Sequence, residues 1–275
     1  MTRPRDVAPG VALFPVRTPT LPPATHTNTF AVGGREVLLV EPATPYEDER
    51  AAWLSWARAV ASGGRRVVGV LVTHHHVDHA SAATVFARGL GVPLYGHAAT
   101  LERLKDRFAV LGEVREVHDG ERIVLGDRAW TALHTPGHAP GHLCLWDEEG
   151  RTLIAGDMVA NGSTILIPPD DDGDMATYIE QLRRLDALGT TLVLPAHGEP
   201  IDEPHALFQY YVSHRLMRED KVLRAFLGRR AALGRDPDVA EIVPEAYDDT
   251  PVHLWPLARG AAEAHLIKLR REGRI

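Results

Sequence analysis

The sequence predicts an α/β body carrying a small all-helical appendage, and three observations carry that prediction. Short runs rich in β-branched and aromatic residues alternate with helical patterns up to about residue 203. At four places an apolar run gives way to small, Pro or Gly residues or a threonine and then to a histidine or aspartate. Beyond residue 203 the texture becomes helical throughout.

Taken in order, "EVLLVE" (36–41), "RVVGVLVT" (66–73), "VPLYG" (92–96), "WTALHT" (130–135), "HLCLWD" (142–147), "TLIAGD" (152–157) and "TLVLPAHG" (191–198) read as strands. "YEDERAAWLSWARAVAS" (46–62), "ASAATVFARGL" (80–90) and "MATYIEQLRRLDAL" (175–188) read as helices. "HDGERIVLGD" (118–127) reads as two strand pieces around an Asp-Gly turn. The acidic "PPDDDGD" (168–174) reads as a loop, with Asp174 as the N-cap of the next helix. In the appendage, 205–233 reads as one long helix, 238–243 as a short piece and 254–275 as a last helix ending at Gly273. The expected domains are therefore 1–203 and 204–275.

Composition bounds the function. At 275 residues, 44% hydrophobic and 24% charged, the chain has the makeup of a soluble globular protein. No apolar run approaches the ~18 residues of a membrane span. The start, "MTRPRDVAPGVALFP", is broken by prolines and lacks an apolar signal core, so the expected location is the cytoplasm, away from any membrane. The single cysteine, Cys144, excludes an internal disulfide. The net charge of −7 divides into +2 over 215–275 and −9 over the rest. An acidic body is a poor non-specific nucleic-acid binder.

The stretch "LVTHHHVDHAS" (71–81) packs four histidines and an aspartate into six positions. It follows a buried strand, and extended residues two apart point the same way. His74 and His76 therefore face one ion while His75 faces elsewhere, and the turn into the next helix brings Asp78 and His79 to a point nearby. Further ligands stand at other strand ends: His138 after "ALHTPG", Asp157 after "LIAG" and His197 after "LVLPA". Five histidines and two carboxylates form two sets of nitrogen and oxygen donors suited to two Zn²⁺, with iron or manganese also fitting.

"HHHVDH" fits the H-x-H-x-D-H motif of the metallo-β-lactamase superfamily, and "TPGHAPGH", "AGD" and "PAHG" resemble its later motifs in the right order. The resemblance covers roughly residues 10–200 and implies an αββα sandwich with a two-metal cleft. By that likeness His74, His76 and His138 hold one ion, Asp78, His79 and His197 hold the other, and Asp157 bridges them. "THTNTFAVGG", "YYVSHRLMRED" and "EAHLIKLRREGRI" are similar to the glyoxalase-II-like and β-lactamase-like-protein-2 branch, whose C-terminal extension is helical and winged-helix-like. The chain departs at Glu41, where the family usually has aspartate, and at His75, where an aromatic or small polar residue is commoner.

The remaining histidines read differently. His134 is read as packed or exposed within its strand. His142 divides evenly between supporting the ligands and making a turn into a strand. His214 is read as helix-face packing in preference to reaching the cleft. Cys144 is read as an inert small side chain.

A water shared by two cations is acidified toward neutral pH, and Asp78 is the expected catalytic residue, orienting that water and shuttling its proton. A bridging aspartate, where the best-known β-lactamases of this fold have cysteine or serine, fits thioesterase, nuclease and phosphodiesterase members. The leading expectation is hydrolysis of a small-molecule thioester or related acyl compound. The alternative enzyme is a single-stranded-RNA endoribonuclease using Arg215, Arg218, Lys221 and Arg224, set against a solvated helix face laced with Glu219 and Asp220. The non-enzymatic alternative is an appendage serving homodimerisation or nucleic-acid docking.

Overall fold

The computed structural model describes residues 4–275, and contacts divide them into two compact units. The first runs up to Thr135 and adds Pro140–Thr164 and Gly189–Pro204. The second consists of Pro136–Ala139, Ile165–Leu188 and His205–Ile275. The packing units thus interleave along the chain, whereas the expected domains are continuous. We keep 1–203 and 204–275 as a proposal for domain organisation.

The first unit holds two sheets. The larger has seven strands in sequence order: β1 (Arg5–Ala8), β2 (Val11–Arg17), β3 (His26–Gly33), β4 (Glu36–Val40), β5 (Arg66–Leu71), β6 (Leu94–Gly96) and β7 (Val114–Glu116). Pairing is antiparallel from β1 to β4 and parallel from β4 to β7. Parallel neighbours need crossovers, and helices supply them: α1 (Glu47–Ser62), α2 (Val77–Ala80) with α3 (Ala83–Leu90), and α4 (Ala98–Arg103) with α5 (Lys105–Phe108). The second sheet has the order β12-β11-β10-β9-β8, from β8 (Arg122–Leu125), β9 (Arg128–His134), β10 (Leu143–Asp147), β11 (Thr152–Gly156) and β12 (Leu192–Pro195). Only β11 and β12 pair in parallel there.

Alternation along β4 places the layers. Val37 and Leu39 pack with Trp53, Trp56 and Phe86 under the helices. Leu38 and Val40 pack with Trp130, Leu143, Ile154 and Leu194 of the second sheet. A strand buried on both faces must be apolar throughout, which is why "EVLLV" lacks a polar alternation. Each large side chain so buried contributes roughly 1.5–3 kcal/mol. Trp53 stacks on Phe86 with centroids 3.8 Å apart and donates its indole N–H to Thr29 Oγ1 at 2.9 Å.

Sequence and structure differ in places. Residues 118–127 hold one strand, β8; Asp119 and Gly120 lead into it, and Gly126-Asp127 forms the two-residue connection to β9. Gly126 takes φ +76°, a conformation that favours glycine. The helix expected over 80–90 starts later, as α3 at Ala83, and a separate single turn, α2, precedes it. β1, β2 and β7 were not anticipated from the sequence, and neither were α4 and α5.

The second unit contains α6 (Met175–Asp186), α7 (Pro204–Leu233), α8 (Val239–Ala246) and α9 (Trp255–Arg271). Asp174 caps α6 as expected, accepting from the Thr177 N–H at 3.0 Å. Asp238 and Glu241 form a capping box on α8. Val222, Phe226, Ile242, Tyr247, Ala262 and Leu269 knit α7, α8 and α9 into one apolar core. No helix among the described residues is long and apolar enough to cross a membrane.

Candidate metal centre

Glu41 follows β4, Thr73 and His74 follow β5, Asp157 follows β11 and His197 follows β12. Each stands where a buried strand leaves its sheet, so a rigid scaffold fixes its backbone. α2 begins directly after His76 and carries Asp78 and His79 on its single turn.

The imidazoles face one another and the carboxylates. His74 Nε2 lies 2.9 Å from His76 Nδ1. His79 Nε2 lies 3.5 Å from Asp157 Oδ2 and 3.7 Å from Asp78 Oδ1. His197 Nε2 lies 3.3 Å from Asp157 Oδ1 and 3.6 Å from Asp78 Oδ2. One donor atom from each of Asp78, His79 and His197 falls within 4.8 Å of the others. Asp157 thus stands between His79 and His197. His75 meets His74 edge-on, with centroids 6.4 Å apart.

The opposite ring nitrogens are tied down. Thr73 Oγ1 donates to Glu41 Oε1 at 2.5 Å, which leaves that hydroxyl oxygen to accept from His74 Nδ1–H at 3.0 Å. His79 Nδ1–H donates to the same Glu41 oxygen at 3.0 Å. His197 Nδ1–H donates to the His26 carbonyl at 3.0 Å. These bonds leave Nε2 of His74, His79 and His197 with a lone pair directed into the cluster. His138 lies in the second unit, on the loop Pro136–Ala139, and follows the same rule: its Nδ1–H donates to the Leu166 carbonyl at 2.7 Å.

The donor set fits metal. Buried His79 Nε2 has no hydrogen-bond partner. Burial alone pulls the His79 imidazole down, but Asp157, Glu41 and Asp78 outweigh it and hold its pKa well above the ordinary value. Three carboxylates around a buried ring make a site of strongly negative potential, which a cation neutralises.

The structure assigns His142 a supporting role that the sequence left undecided. Its Nε2 accepts the backbone N–H of Asp157 at 3.0 Å, and its Nδ1–H donates to Thr135 Oγ1 at 2.8 Å. Gly156, at φ +49°, permits this approach, since a Cβ there would lie 2.5 Å from His142 Nε2. His134 stacks on His97 at 3.9 Å and bonds the Pro140 carbonyl, apart from the ligand cluster. His214 stacks along α7 on Tyr210. Sequence reasoning did not single out Thr73, Thr135 or Asn28. Thr73 had a local signal, a hydroxyl directly before the first histidine of the motif.

Two sheets whose strand ends gather histidines and aspartates define a mixed α/β protein with a cluster suited to a dinuclear metal. Residues 22–197 match the metallo-β-lactamase superfamily model, and the chain belongs to that family. Residues 239–275 match the β-lactamase-associated winged helix domain, so the helical appendage is of winged-helix type. The chain is 34% identical to a β-lactamase-like protein 2 homologue of Drosophila melanogaster over 143 residues, 52% of this chain and 46% of that protein. It is 30% identical to an atrochrysone carboxyl ACP thioesterase of Aspergillus chevalieri over 231 residues, 82% of this chain and 69% of that one. A β-lactamase domain protein of Burkholderia ambifaria superposes with a TM-score of 0.82 at 25% identity, covering 98% and 88% of the two chains.

Proposed function

We propose that this protein is a dinuclear-metal hydrolase acting on a small-molecule thioester or related acyl substrate. The observation that carries the reading is the convergence of Asp78, His79, Asp157 and His197, with the far nitrogen of each imidazole committed to a fixed acceptor. His74, His76 and His138 would hold one ion, Asp78, His79 and His197 the other, and Asp157 would bridge. Zinc suits this donor set, and iron and manganese fit it too. Bound there, two such ions supply an acidified water and Lewis-acid stabilisation of the developing oxyanion. Asp78 orients the attacking water and holds its proton until the thiolate leaves. Glu41 and His142 keep the ligands in place. The similarity to an ACP thioesterase supports a thioester over a lactam. We assign the activity to the cytoplasm.

The endoribonuclease reading loses support on α7. Arg215 is buried, stacks over Tyr178 and donates to the Ile165 carbonyl. Arg218 is buried and paired with Asp249, and Lys221 pairs with Asp248 and Asp249. These three cations are spent on internal partners, and of the four expected residues only Arg224 is exposed, its Nε donating to the Asp220 carbonyl at 3.3 Å. The bland expectation also needs correction: Glu219 is buried, so this is not simply a solvated face.

The test loads the protein with zinc or manganese and offers acyl-CoA and acyl-glutathione thioesters beside a labelled RNA. Thioester turnover in wild type, falling at least about 100-fold in His76→Ala, is expected, on the scale of losing a metal or an oxyanion stabiliser. Metal-dependent RNA cleavage without thioester turnover would overturn the substrate assignment. Elemental analysis finding no transition metal after loading would overturn the metal centre.

A further inference from the structure

A cleft of about 280 Å³ in the first unit adjoins His197 and is lined by Thr25, His26, Asn28, Asn161 and Ser163. The loop that carries His197 also builds its wall. The Asn161 N–H donates to the His197 carbonyl at 3.0 Å, and Asn161 Nδ2 donates to the Glu199 carbonyl at 3.1 Å. Gly198, at φ +92°, allows this closure, because a Cβ there would lie 2.3 Å from the Asn161 carbonyl oxygen.

Asn28 is only 2% exposed. Its amide nitrogen donates to the Pro195 carbonyl at 2.9 Å and to the Gly198 carbonyl at 2.8 Å. Two carbonyl acceptors fix which end of the amide is nitrogen. The amide oxygen, Oδ1, receives no hydrogen bond from the described residues. With its nitrogen committed to the protein, the amide oxygen of a residue that lines the cleft is open to an N–H from whatever fills that cleft.

We propose that this cleft recognises the thiol-carrier portion of the substrate, and that Asn28 Oδ1 accepts the N–H of a secondary amide set two methylenes from the sulfur, as in cysteamine-type carriers. The proposal rests on the thioester reading. It makes the carrier amide a determinant of specificity, distinct from the acyl group that is attacked. A site that hydrogen-bonds a substrate N–H rejects the analogue lacking it, because the protein acceptor is left unpaired or faces a second oxygen.

The test compares two thioesters with the same acyl group, one on N-acetylcysteamine and one on O-acetyl-2-mercaptoethanol, which differ only in N–H against O. With metal-loaded protein, kcat/KM should be about tenfold lower for the oxygen analogue, mainly through KM, the scale of one hydrogen bond. The corresponding S-ethyl thioethers, which cannot be hydrolysed, are titrated into ¹⁵N-labelled protein. The Asn28 side-chain amide resonance should move with the N–H ligand and not with its oxygen counterpart. Equal kcat/KM for the two thioesters would overturn the proposal, as would an Asn28 resonance indifferent to both thioethers, while leaving the hydrolase reading intact. Absence of turnover with an N–H-dependent shift of Asn28 would overturn the hydrolase reading and uphold the cleft.

Discussion

Glu41 gathers two donors on one carboxylate oxygen, the Thr73 hydroxyl that supports His74 and the Nδ1–H of His79. One side chain thereby sets the ring orientation of a ligand assigned to each ion. It is fully buried, and its backbone takes φ +63°, an uncommon conformation for a residue with a Cβ. The glutamate arm is long enough to reach both donors. Glu41→Gln keeps the volume and removes the charge that polarises His79. Zinc affinity, measured by competition with a chelator, should fall about 10- to 100-fold, the usual cost of losing such a partner. Unchanged affinity would mean that Glu41 only fills space. The candidate ligands were legible because His74, Asp157 and His197 stand just past apolar strands and His76, Asp78 and His79 follow His74 in one motif. Their supports were not. Thr73, Thr135 and Asn28 are ordinary residue types, and Asn28 acquires its role only because the start of β3 lies beside the loop after β12.

Along the elements, the long helices and central strands were readable from periodicity, while short or proline-containing pieces were not. β2 contains Pro15, which removes a backbone donor, yet it pairs along its whole length with β3, with Pro15 opposite Asn28, whose own N–H donates to the Ala196 carbonyl. α7 offers the opposite lesson: charges suggesting a wet face turn inward. Glu219 of α7 meets Lys268 of α9 at 2.8 Å, Arg274 at 2.5 Å and His265 at 3.6 Å. Burial pushes its carboxyl up, but the adjacent His265 and Lys268 more than reverse this and lower its pKa from 4.5 to about 2. A depressed carboxyl stabilises the fold above its unfolded pKa and loses that contribution as pH falls through the folded value. The stability difference between wild type and Glu219→Gln should therefore be greatest above pH ~4.5, on the order of 3 kcal/mol, and shrink toward pH ~2. Urea titrations of both proteins across that range measure it. A difference independent of pH would refute the ionic account of the α7–α9 contact.

For the whole molecule, the question is how an acidic protein tolerates buried negative charge at one point. The body outside 215–275 carries −9, and Glu41 and Asp157 are buried within it, with Asp78 partly so. Burying negative charge costs several kcal/mol per carboxylate unless it is neutralised, and a protonated imidazole at His79 would offset only part of that. Cations held by the same donors convert the cost into binding free energy that the unfolded chain lacks. At a free concentration 100 times its dissociation constant, one ion contributes about 2.7 kcal/mol. In a chain of this size that corresponds to a melting temperature roughly 5–10 °C higher. Scanning calorimetry after chelation should show that fall. Zinc should restore the original value, whereas magnesium, which prefers all-oxygen shells, should not. If chelated protein, verified free of metal, melts where the loaded protein melts, then the carboxylates are satisfied by the histidines alone and the cluster is a hydrogen-bonded core with no structural need for an ion.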